Sequence, residues 1–524
     1  MNKNNNSFKI LYSKIKINKS LLILISVLLI ISIMGISYYI LFYQTSPLEN
    51  NKNEEIGENE AIDDMISPPG INQAVYLEIT RIHKKEIESL IRQTGNSWKK
   101  PPNYHFIAII DGEEWIGMDI TTWDTGYVGW EHHKFVEDEL EECTIELKIF
   151  EKRKIFFNNF DKEAMSFQIT YDFKTGRWHG DDNFNDNDGY GHFNGENYEI
   201  WFDVHQLDED GDDIPYWWEV NRLNTDPKED DSKLDPDMDG IPTAWEWKWG
   251  YDPFIYDNHS TVDPEKDGLS NIEEYTMRKW LANPYHQDIY LEVDFMEKGP
   301  RLFSMEHVLW KESQFMLMDK FNKHNITVHI DDGWPSELTN GGGEYLRYIE
   351  DYIGKSSGIG SEFYKYHFSD ARKGIFRYIF ICHSGGWNTP QDYKRWFDVI
   401  SIPCNFKWFV TTMLPPAITP KLQRLSMAIA VMHELGHSLG LTPLSHGGID
   451  NASQVGRNDL PPLQKIKLKR EAIAYWDNYE SCMNYNKFGH YLLNYSDGTH
   501  GPRDFDDWGS IDLTYFQKTS DYPY

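Results

Sequence analysis

Cysteine and basic residues are both scarce in this chain. The four cysteines stand far apart, at Cys143, Cys382, Cys404 and Cys482, so they lack the close pairing of a cysteine zinc cluster or a redox motif. Outside a cell two or more of them can be bridged, and the spacing leaves the pairing open. The 51 Lys and Arg are outnumbered by 83 Asp and Glu, which gives a net charge of −32. Because so acidic a chain repels phosphate groups, no nucleic acid is expected as a partner.

A small-residue cleavage site is also lacking after the first apolar segment. Residues 21–43 form an uncharged stretch of 23 residues, which at about 1.5 Å per residue is long enough to cross a bilayer. Lysines crowd residues 1–20, so the positive-inside rule predicts a cytoplasmic N-terminus and a transmembrane helix over 21–43. A cleaved signal peptide is the alternative. The pattern predicts a single-pass protein of the cell membrane whose remaining chain is extracellular.

The chain changes character twice after this segment. Residues 44–70 are rich in Asn and Glu and nearly free of large apolar residues, which predicts a disordered linker. Over residues 71–205, short stretches alternate apolar and polar positions and are separated by turn residues. Such strands without helical periodicity predict a β-sandwich domain. The strands are expected around 75–79, 106–110, 144–150, 167–171 and 198–202.

Three acidic loops of one pattern follow at a regular spacing. Positions one, three, five and twelve of each loop are acidic, and these positions supply carboxylate oxygens in calcium loops. The first loop contains Asp208, Asp210, Asp212 and Glu219, the second Asp235, Asp237, Asp239 and Glu246, and the third Asp263, Glu265, Asp267 and Glu274. Their first residues are 27 and 28 positions apart (235 − 208 and 263 − 235). This period indicates a repeat rather than chance runs of acid.

The acidic loops resemble the calcium repeats of thrombospondin type 3 and dockerin modules. The resemblance implies structural Ca²⁺ ions within residues 206–285. Converging carboxylates repel one another unless a divalent ion neutralises them, which supports that reading. The first loop departs from the pattern at Asp213, where glycine is expected. An ordinary acidic spacer is the alternative.

The motif HELGH carries the most specific chemistry in the chain. On a helix His433 and His437, four residues apart, leave the same face and can hold one tetrahedral ion. Glu434 stands beside them, where it can take a proton from metal-bound water and return it to a leaving amine. The apolar run 425–432 predicts that this helix is buried. Gly440 suits a helix end in a left-handed turn.

With the later Ser-Cys-Met-Asn-Tyr segment, the motif resembles the metzincin zinc endopeptidases. Their pattern is HExxHxxGxxH followed by a methionine-containing turn beneath the metal. The resemblance implies that His433 and His437 are zinc ligands and that Glu434 is the general base. It also implies that Met483 lies beneath the metal and that Tyr485 contacts the metal or the oxyanion.

The third histidine of that pattern is replaced here by Pro443, which cannot ligate a metal. Catalytic zinc normally keeps three protein ligands, so another donor is needed. His446, three positions further along in a glycine-containing loop, is the predicted third ligand. Asp450 is the second choice, and His490 or His500 are more distant ones. A metal-free, inactive domain is the remaining alternative.

Residues 286–524 are the predicted hydrolase domain. Strand patterns at 288–295, 326–330 and 375–381, with a helical stretch at 305–323 between the first two, predict an α/β core. The expected fold is therefore an α/β or α+β catalytic domain of metzincin type. Its cleft would lie between a sheet edge and the motif helix, where a substrate peptide can add as a strand.

The sequence as a whole predicts a multidomain, membrane-anchored extracellular zinc metalloendopeptidase with catalytic Zn²⁺ and structural Ca²⁺. Its expected partners are protein or peptide substrates and, through the N-terminal helix, the membrane. A protein of another class is the alternative: a surface adhesion or carbohydrate-binding protein in which residues 71–285 bind the partner and the HELGH domain is inactive. Natural substrate and oligomeric state leave no trace in the sequence.

Overall fold

The computed structural model describes most of the chain beyond residue 72. The described residues are 73–87, 100–126, 129–136, 140–155, 158–184, 189–300, 306–333, 341–351, 353, 359–384, 398–404, 420–451, 461–488 and 491–517. All of them fall within one compact unit, Ile71–Tyr524. The predicted cytoplasmic segment 1–20, transmembrane helix 21–43 and linker 44–70 lie outside the described residues.

Ten strands in the first part of the chain form two antiparallel sheets. They are β1 (Ala74–Lys84), β2 (Asn103–Ile110), β3 (Glu113–Ile116), β4 (Ile120–Thr121), β5 (Trp130–Phe135), β6 (Glu142–Ile155), β7 (Asn158–Asp172), β8 (Arg177–Gly180), β9 (Gly191–Asn194) and β10 (Tyr198–Gln206). One sheet has the order β5-β1-β10-β9, and the other β3-β2-β6-β7-β8 with β4 paired to β2. Each of the five stretches with a strand pattern lies within one of these strands.

The core between these two sheets follows from the alternation of apolar side chains. Leu77 and Ile79 of β1 share one buried cluster with Phe106 of β2 and with Leu147 and Ile149 of β6. Alternate residues of a strand point to the same face, so one apolar face of each sheet is enough to build this core.

A third sheet lies in the C-terminal half of the chain, and all its pairings are parallel. Its strands are β11 (Gln287–Met296), β12 (Ile326–Asp331), β13 (Tyr345–Leu346), β14 (Phe376–Cys382) and β15 (Val399–Pro403). The order is β12-β11-β14-β15, with β13 paired to the end of β11. Nearly every residue of β11, β12, β14 and β15 is buried, as expected for a parallel sheet covered on both faces.

Helices connect and cover these strands. They are α1 (Tyr216–Trp218), α2 (Thr243–Lys248), α3 (Asn271–Met277), α4 (Lys311–Asn322), α5 (Ile359–His367), α6 (Pro420–Ser438), α7 (Pro462–Tyr475) and α8 (Tyr485–Phe488). Ile289, Leu291 and Val293 of β11 share a core with residues of α4 and α6, whereas Tyr290 belongs to the core on the opposite face. The motif helix α6 is thereby fixed against the parallel sheet.

Buried charges join the antiparallel sheets to the C-terminal domain. Arg81 of β1 holds Asp124 in an ion pair of 2.6 Å, and the Nδ1 atom of His83 lies 2.8 Å from the same carboxylate. The other ring nitrogen of His83 lies 3.8 Å from Asp319 of α4. Burial alone would lower the pKa of His83, but its hydrogen bond to Asp124 and the nearby carboxylate of Asp319 raise that pKa to about 9.

The predicted fold class and location are wrong as stated. The described residues are mostly β-sheet, in three sheets, rather than an α/β metzincin domain added to a membrane helix. Short strands such as β3, β4 and β9 contain too few residues to show a period, so the sequence does not reveal them. In the part of the chain that the structure describes, no helix combines the length and apolar character that a bilayer span requires. The prediction of a single-pass membrane protein with an extracellular catalytic domain is therefore withdrawn.

Candidate functional site

The motif helix α6 positions three of the predicted site residues. His433, Glu434 and His437 are all buried, following the run of buried residues that begins at Leu425. The helix ends at Ser438, and Gly440 two residues later has a φ of +88°. The N–H of Leu441 donates to the carbonyl of Gly436, and the N–H of Gly440 to that of His437, which is a Schellman end.

Both imidazoles of the motif are oriented by backbone carbonyls. The Nδ1 of His433 lies 2.9 Å from the carbonyl oxygen of Cys482, and the Nδ1 of His437 lies 2.7 Å from that of Leu441. A carbonyl oxygen can only accept, so Nδ1 carries the hydrogen in both rings. The Nε2 atoms are therefore the ones that face the site, as in protein metal centres whose histidines are held by a backbone carbonyl.

Asp450 lies against both imidazoles and could be the third metal donor. Its Oδ1 lies 3.1 Å from Nε2 of His433, and its Oδ2 lies 3.3 Å from Nε2 of His437. In a tetrahedral zinc site with bonds of about 2.0 to 2.2 Å, neighbouring donor atoms are about 3.3 to 3.6 Å apart. The two imidazoles and the carboxylate therefore fit a single zinc ion, with one position left open.

The structure does not bring His446, the predicted third ligand, to the two histidines, and Asp450, the second choice, lies there instead. The His446 ring stacks on Phe505 at 4.8 Å and 6°. It also meets the edges of Trp476 and Tyr479. The imidazole thus packs the loop into an aromatic cluster. Asp450, four residues later, is the loop residue that lies beside His433 and His437. Of the other candidates, His500 pairs with Asp504 at 2.9 Å in an exposed turn, and His490 lies outside the described residues.

The electrostatics of the centre follow from burial and from this one carboxylate. Burial alone would lower the pKa of His433, but the hydrogen bond and charge of Asp450 raise it to about 9. Burial alone would raise the pKa of Asp450, but the charges of His437 and His433 hold it well below its usual range. The carboxylate is therefore ionised and able to act as a ligand.

Glu434 has the surroundings of a proton acceptor. Both of its carboxylate oxygens are buried, and neither has a hydrogen-bond partner among the described residues. Burial is the largest cause that raises its pKa, to about 8. A buried carboxylate without a partner is costly, so such a group is expected to have a ligand or a proton as its partner.

Met483 and Tyr485 lie close to the two histidines. A Cβ atom on Gly436 would come within 2.6 Å of the Met483 sulfur, so the methionine turn requires glycine at this position of HELGH. The Tyr485 ring stacks on His433, with centroids 5.4 Å apart and planes at 17°. Its hydroxyl is hydrogen-bonded to Asp450. Burial and the charge of Asp450 keep the pKa of Tyr485 far above its usual value, so it remains a donor.

Two asparagines that the sequence did not single out help to hold Asp450 in place. The N–H of Asp450 donates to the carbonyl of Met483 at 3.1 Å. Next to it, Asn451 Nδ2 donates to Asn484 Oδ1, the residue that follows Met483. Asp450 itself has a φ of +49°, a left-handed conformation that aspartate tolerates better than most residues. Nothing in the spacing of these residues reveals that the two turns are hydrogen-bonded.

The three acidic loops share one backbone geometry. The first carboxylate of each loop accepts from the N–H groups at positions four and six, in all three loops. Both positions have positive φ each time, including Asp213 at +66°, where the pattern expects glycine. The fifth-position aspartate accepts from position seven and also from a backbone N–H further on, at Asp231, Asp257 or Asp288.

Several of the other carboxylates in these loops are buried and have no hydrogen-bond partner among the described residues. Glu246 and Glu274, at position twelve, are fully buried, and among the described residues none of their carboxylate oxygens has a hydrogen-bond partner. Burial, followed by the charge of Asp239, raises the pKa of Glu246 to about 8. Asp208, Asp210 and Asp212 also lie close enough together to hold one ion. Buried, mutually repelling oxygen donors fit a divalent cation that prefers oxygen, such as Ca²⁺.

The thiol groups of the four cysteines take no part in either kind of site. All four are buried and free, so the structure does not contain the bridges that the sequence allows. Burial raises the pKa of Cys143 to about 11 and that of Cys404 to about 12. These thiols are packing residues rather than ligands or nucleophiles.

Comparison with known proteins does not assign this chain to a family. No protein-family model and no curated protein matches the chain. Among solved structures, one match is a structure of the two C2 domains of Extended-Synaptotagmin 2, with 8% sequence identity and a TM-score of 0.18. It covers 31% of this chain and 52% of that one, so the match spans about half of the known structure. A likeness of this size carries no argument about fold or function.

Proposed function

We propose that this chain is a zinc-dependent endopeptidase. The observation that carries the proposal is the convergence of His433 Nε2, His437 Nε2 and Asp450 on one point, with the partnerless carboxylate of Glu434 next to them in sequence. Two neutral imidazoles and one carboxylate leave a zinc ion with a net charge of about +1, and catalytic zinc sites have three protein ligands of these types.

Zinc, when bound there, supplies a Lewis acid that acidifies water and polarises a carbonyl group. Glu434 accepts the proton of the attacking water and then delivers it to the leaving amine. Because its carboxylate makes no hydrogen bond to the described protein, no bond has to be broken before it acts. The carbonyls of Cys482 and Leu441 keep the two imidazoles in one tautomer throughout.

Tyr485 is the candidate donor to the oxyanion of the transition state. Its hydroxyl keeps its proton, because burial and the charge of Asp450 hold its pKa far above neutrality. The stacking of its ring on His433 fixes its direction relative to the centre. A donor that is already in place stabilises the developing charge without reorganisation.

A peptide is the favoured substrate because of the sheet beside the motif helix. Strand β15 (Val399–Pro403) packs against α6, and within the described residues it is paired only with β14. We propose that an extended peptide binds along this sheet, beside the motif helix. This arrangement supports cleavage within a chain rather than attack on a small molecule.

The acidic loops are proposed to bind structural cations, with Ca²⁺ at the first and third. Backbone N–H groups already orient the first carboxylate of each loop. The glutamate at position twelve, Glu219 or Glu274, is buried beside the other acids of its loop. The third loop also reaches the C-terminal domain, since the N–H of Asp288 on β11 donates to Asp267 at 2.8 Å. Loss of this cation is therefore expected to weaken the start of the parallel sheet.

Zinc content and casein cleavage of wild type and Glu434→Gln test the proposed activity. Removal of the proton acceptor should lower kcat by about 10² to 10⁴-fold and leave the zinc content unchanged. Glu471→Gln, an exposed glutamate on α7, is the matched control and should behave as wild type. Cleavage that survives Glu434→Gln, or a pure chain that binds zinc but cleaves no protein, would contradict the proposal.

A further inference from the structure

The second acidic loop has a histidine in its binding site. His259 is only 1% exposed, and its Nε2 lies 3.1 Å from Asp239 Oδ2 and 3.6 Å from Glu246 Oε1. One donor atom each from His259, Asp239 and Glu246 lie within 4.8 Å of one another. The imidazole therefore points into the same space as the carboxylates of positions five and twelve.

This imidazole is particular to the second loop. The N–H of Asp257 donates to Asp239 just as the N–H groups of Asp231 and Asp288 donate to the fifth-position aspartates of the first and third loops. The residue two positions after each of these aspartates differs between the loops: it is His259 in the second, Lys233 in the first and Tyr290 in the third. The same backbone geometry thus presents an imidazole at one loop of the three.

A hydrogen bond from His259 to Asp239 does not account for the site. Among the described residues, neither His259 Nε2 nor either carboxylate oxygen of the fully buried Glu246 has a hydrogen-bond partner. The Nδ1 of His259 lies 2.9 Å from Nδ2 of Asn271, and the oxygen of the same amide group is buried without a partner. With that oxygen turned toward the ring, Nδ1 carries the hydrogen and Nε2 presents a lone pair to two carboxylates. A cation between these donors would satisfy all of them.

We propose that the second acidic loop binds a divalent transition-metal ion through His259 Nε2, Asp239 and Glu246, unlike the first and third loops. Imidazole favours ions such as Zn²⁺, Co²⁺ and Ni²⁺, whereas sites built from carboxylates alone favour Ca²⁺. A ring nitrogen that takes the place of an oxygen ligand also makes the second site less suited to Ca²⁺, which prefers six to eight oxygens. The chain then has two kinds of cation in adjacent loops.

The experiment is equilibrium dialysis of the full chain against Co²⁺ in a large excess of Ca²⁺, with both metals measured per chain. Wild type should retain one Co²⁺ at the His433 centre and another at His259. His259→Asp leaves the second loop with oxygen donors alone, so its Co²⁺ should be replaced by Ca²⁺, with Co²⁺ affinity at that site reduced at least about tenfold. His179→Asp, the same substitution at an exposed histidine of β8, should leave the Co²⁺ content unchanged.

The two metal assignments fail separately in this design. His433→Gln should remove only the first Co²⁺, so a chain whose single Co²⁺ depends on His259 and not on His433 would contradict the endopeptidase proposal alone. Equal Co²⁺ retention by wild type and His259→Asp would overturn the inference. A measurement that leaves His259 intact guards against misfolding of the variant. In the His433→Gln, His437→Gln chain, substoichiometric Cu²⁺ should show the pulsed EPR couplings of one imidazole, and their absence would also overturn the inference.

Discussion

The HELGH centre and the acidic loops arrange metal donors in opposite ways. In the centre, His433 and His437 are held by carbonyl oxygens and by a buried helix, and a single carboxylate faces them. In the loops, each site gathers four or more acidic side chains, and burial followed by like charges raises the pKa of Glu246 and Glu274. The donors of the centre attract one another without a metal, while those of the loops repel one another.

This difference implies different consequences of metal removal. The centre should keep its shape without zinc, because hydrogen bonds from Asp450 and Asn451 to the turn at 483–484 do not depend on the ion. The loops should lose stability without a cation, because buried carboxylates such as Glu246 and Glu274 are left without compensation. On the proposed function, activity would depend on the first kind of site and structural integrity on the second.

The largest effect is expected at the third ligand of the centre. Asp450→Ala removes a metal donor. Loss of a residue that only hydrogen-bonds to a ligand lowers metal affinity by up to about 100-fold, so loss of the ligand itself should lower zinc affinity by more than that. Cleavage should fall with it. His446→Ala should keep zinc and activity and cost about 1 to 3 kcal/mol of stability from lost ring contacts. Asp477→Ala, an exposed carboxylate paired with Lys487, is the control. Loss of zinc in His446→Ala with retention in Asp450→Ala would reverse the assignment.

An intermediate effect is expected from pH in the metal-free chain. In the third loop, burial and neighbouring carboxylates raise the pKa of Glu265 to about 9 and that of Asp267 to about 8, from ordinary values of 4.5 and 3.8. Between about pH 5 and 8 the folded state therefore binds protons that the unfolded state does not, and stability falls as pH rises. Ca²⁺ binds the ionised form and should oppose this loss, by about 2.7 kcal/mol per site at 100 times its Kd.

Thermal unfolding at pH 5.5 and pH 8, with and without Ca²⁺, measures this effect. The Tm of the metal-free chain should be lower at pH 8, and the gain from Ca²⁺ should be larger there. Glu274→Gln should raise the metal-free Tm at pH 8 and reduce the gain from Ca²⁺. A metal-free Tm that rises from pH 5.5 to pH 8 would show that these carboxylates do not repel one another.

The smallest effect is expected at the sixth position of the first loop. Asp213 adopts a φ of +66°, which glycine reaches without steric cost. Asp213→Gly should therefore stabilise the Ca²⁺-loaded chain by no more than about 1 kcal/mol. Gly240→Asp, at the same position of the second loop, should destabilise it by a similar amount. Both changes are measured by chemical unfolding in Ca²⁺, and opposite signs would contradict the shared geometry.

Local patterns in the sequence predicted more than the overall architecture. The HELGH spacing placed His433 and His437 on one helical face, and the acidic pattern located all three loops, because both rely on short-range geometry. The sequence favours His446 as the third donor because it lies three positions beyond the expected histidine in a glycine-containing loop, but its ring packs against Phe505 and Trp476. The contacts that decide the matter join residues that are distant in sequence, and the place of His259 is hidden for the same reason.

Domain organisation was harder to predict for a related physical reason. The alternation that identified β1 and β6 reports one buried face of a strand. Strand β15 is buried on both faces, so its sequence has no alternation from which a strand can be predicted. The antiparallel sheets are linked to the C-terminal domain by individual charged pairs such as His83 and Asp319. Such pairs produce no periodic pattern in the sequence, so they cannot be predicted from it.

The most direct test is a zinc anomalous difference map from crystals of the full chain grown in Ca²⁺ with added zinc. We predict a peak bonded to Nε2 of His433, Nε2 of His437 and an Oδ atom of Asp450, at about 2.0 to 2.2 Å from each. A peak that is bonded to His446 instead, or the absence of density between the two imidazoles, would contradict the zinc centre.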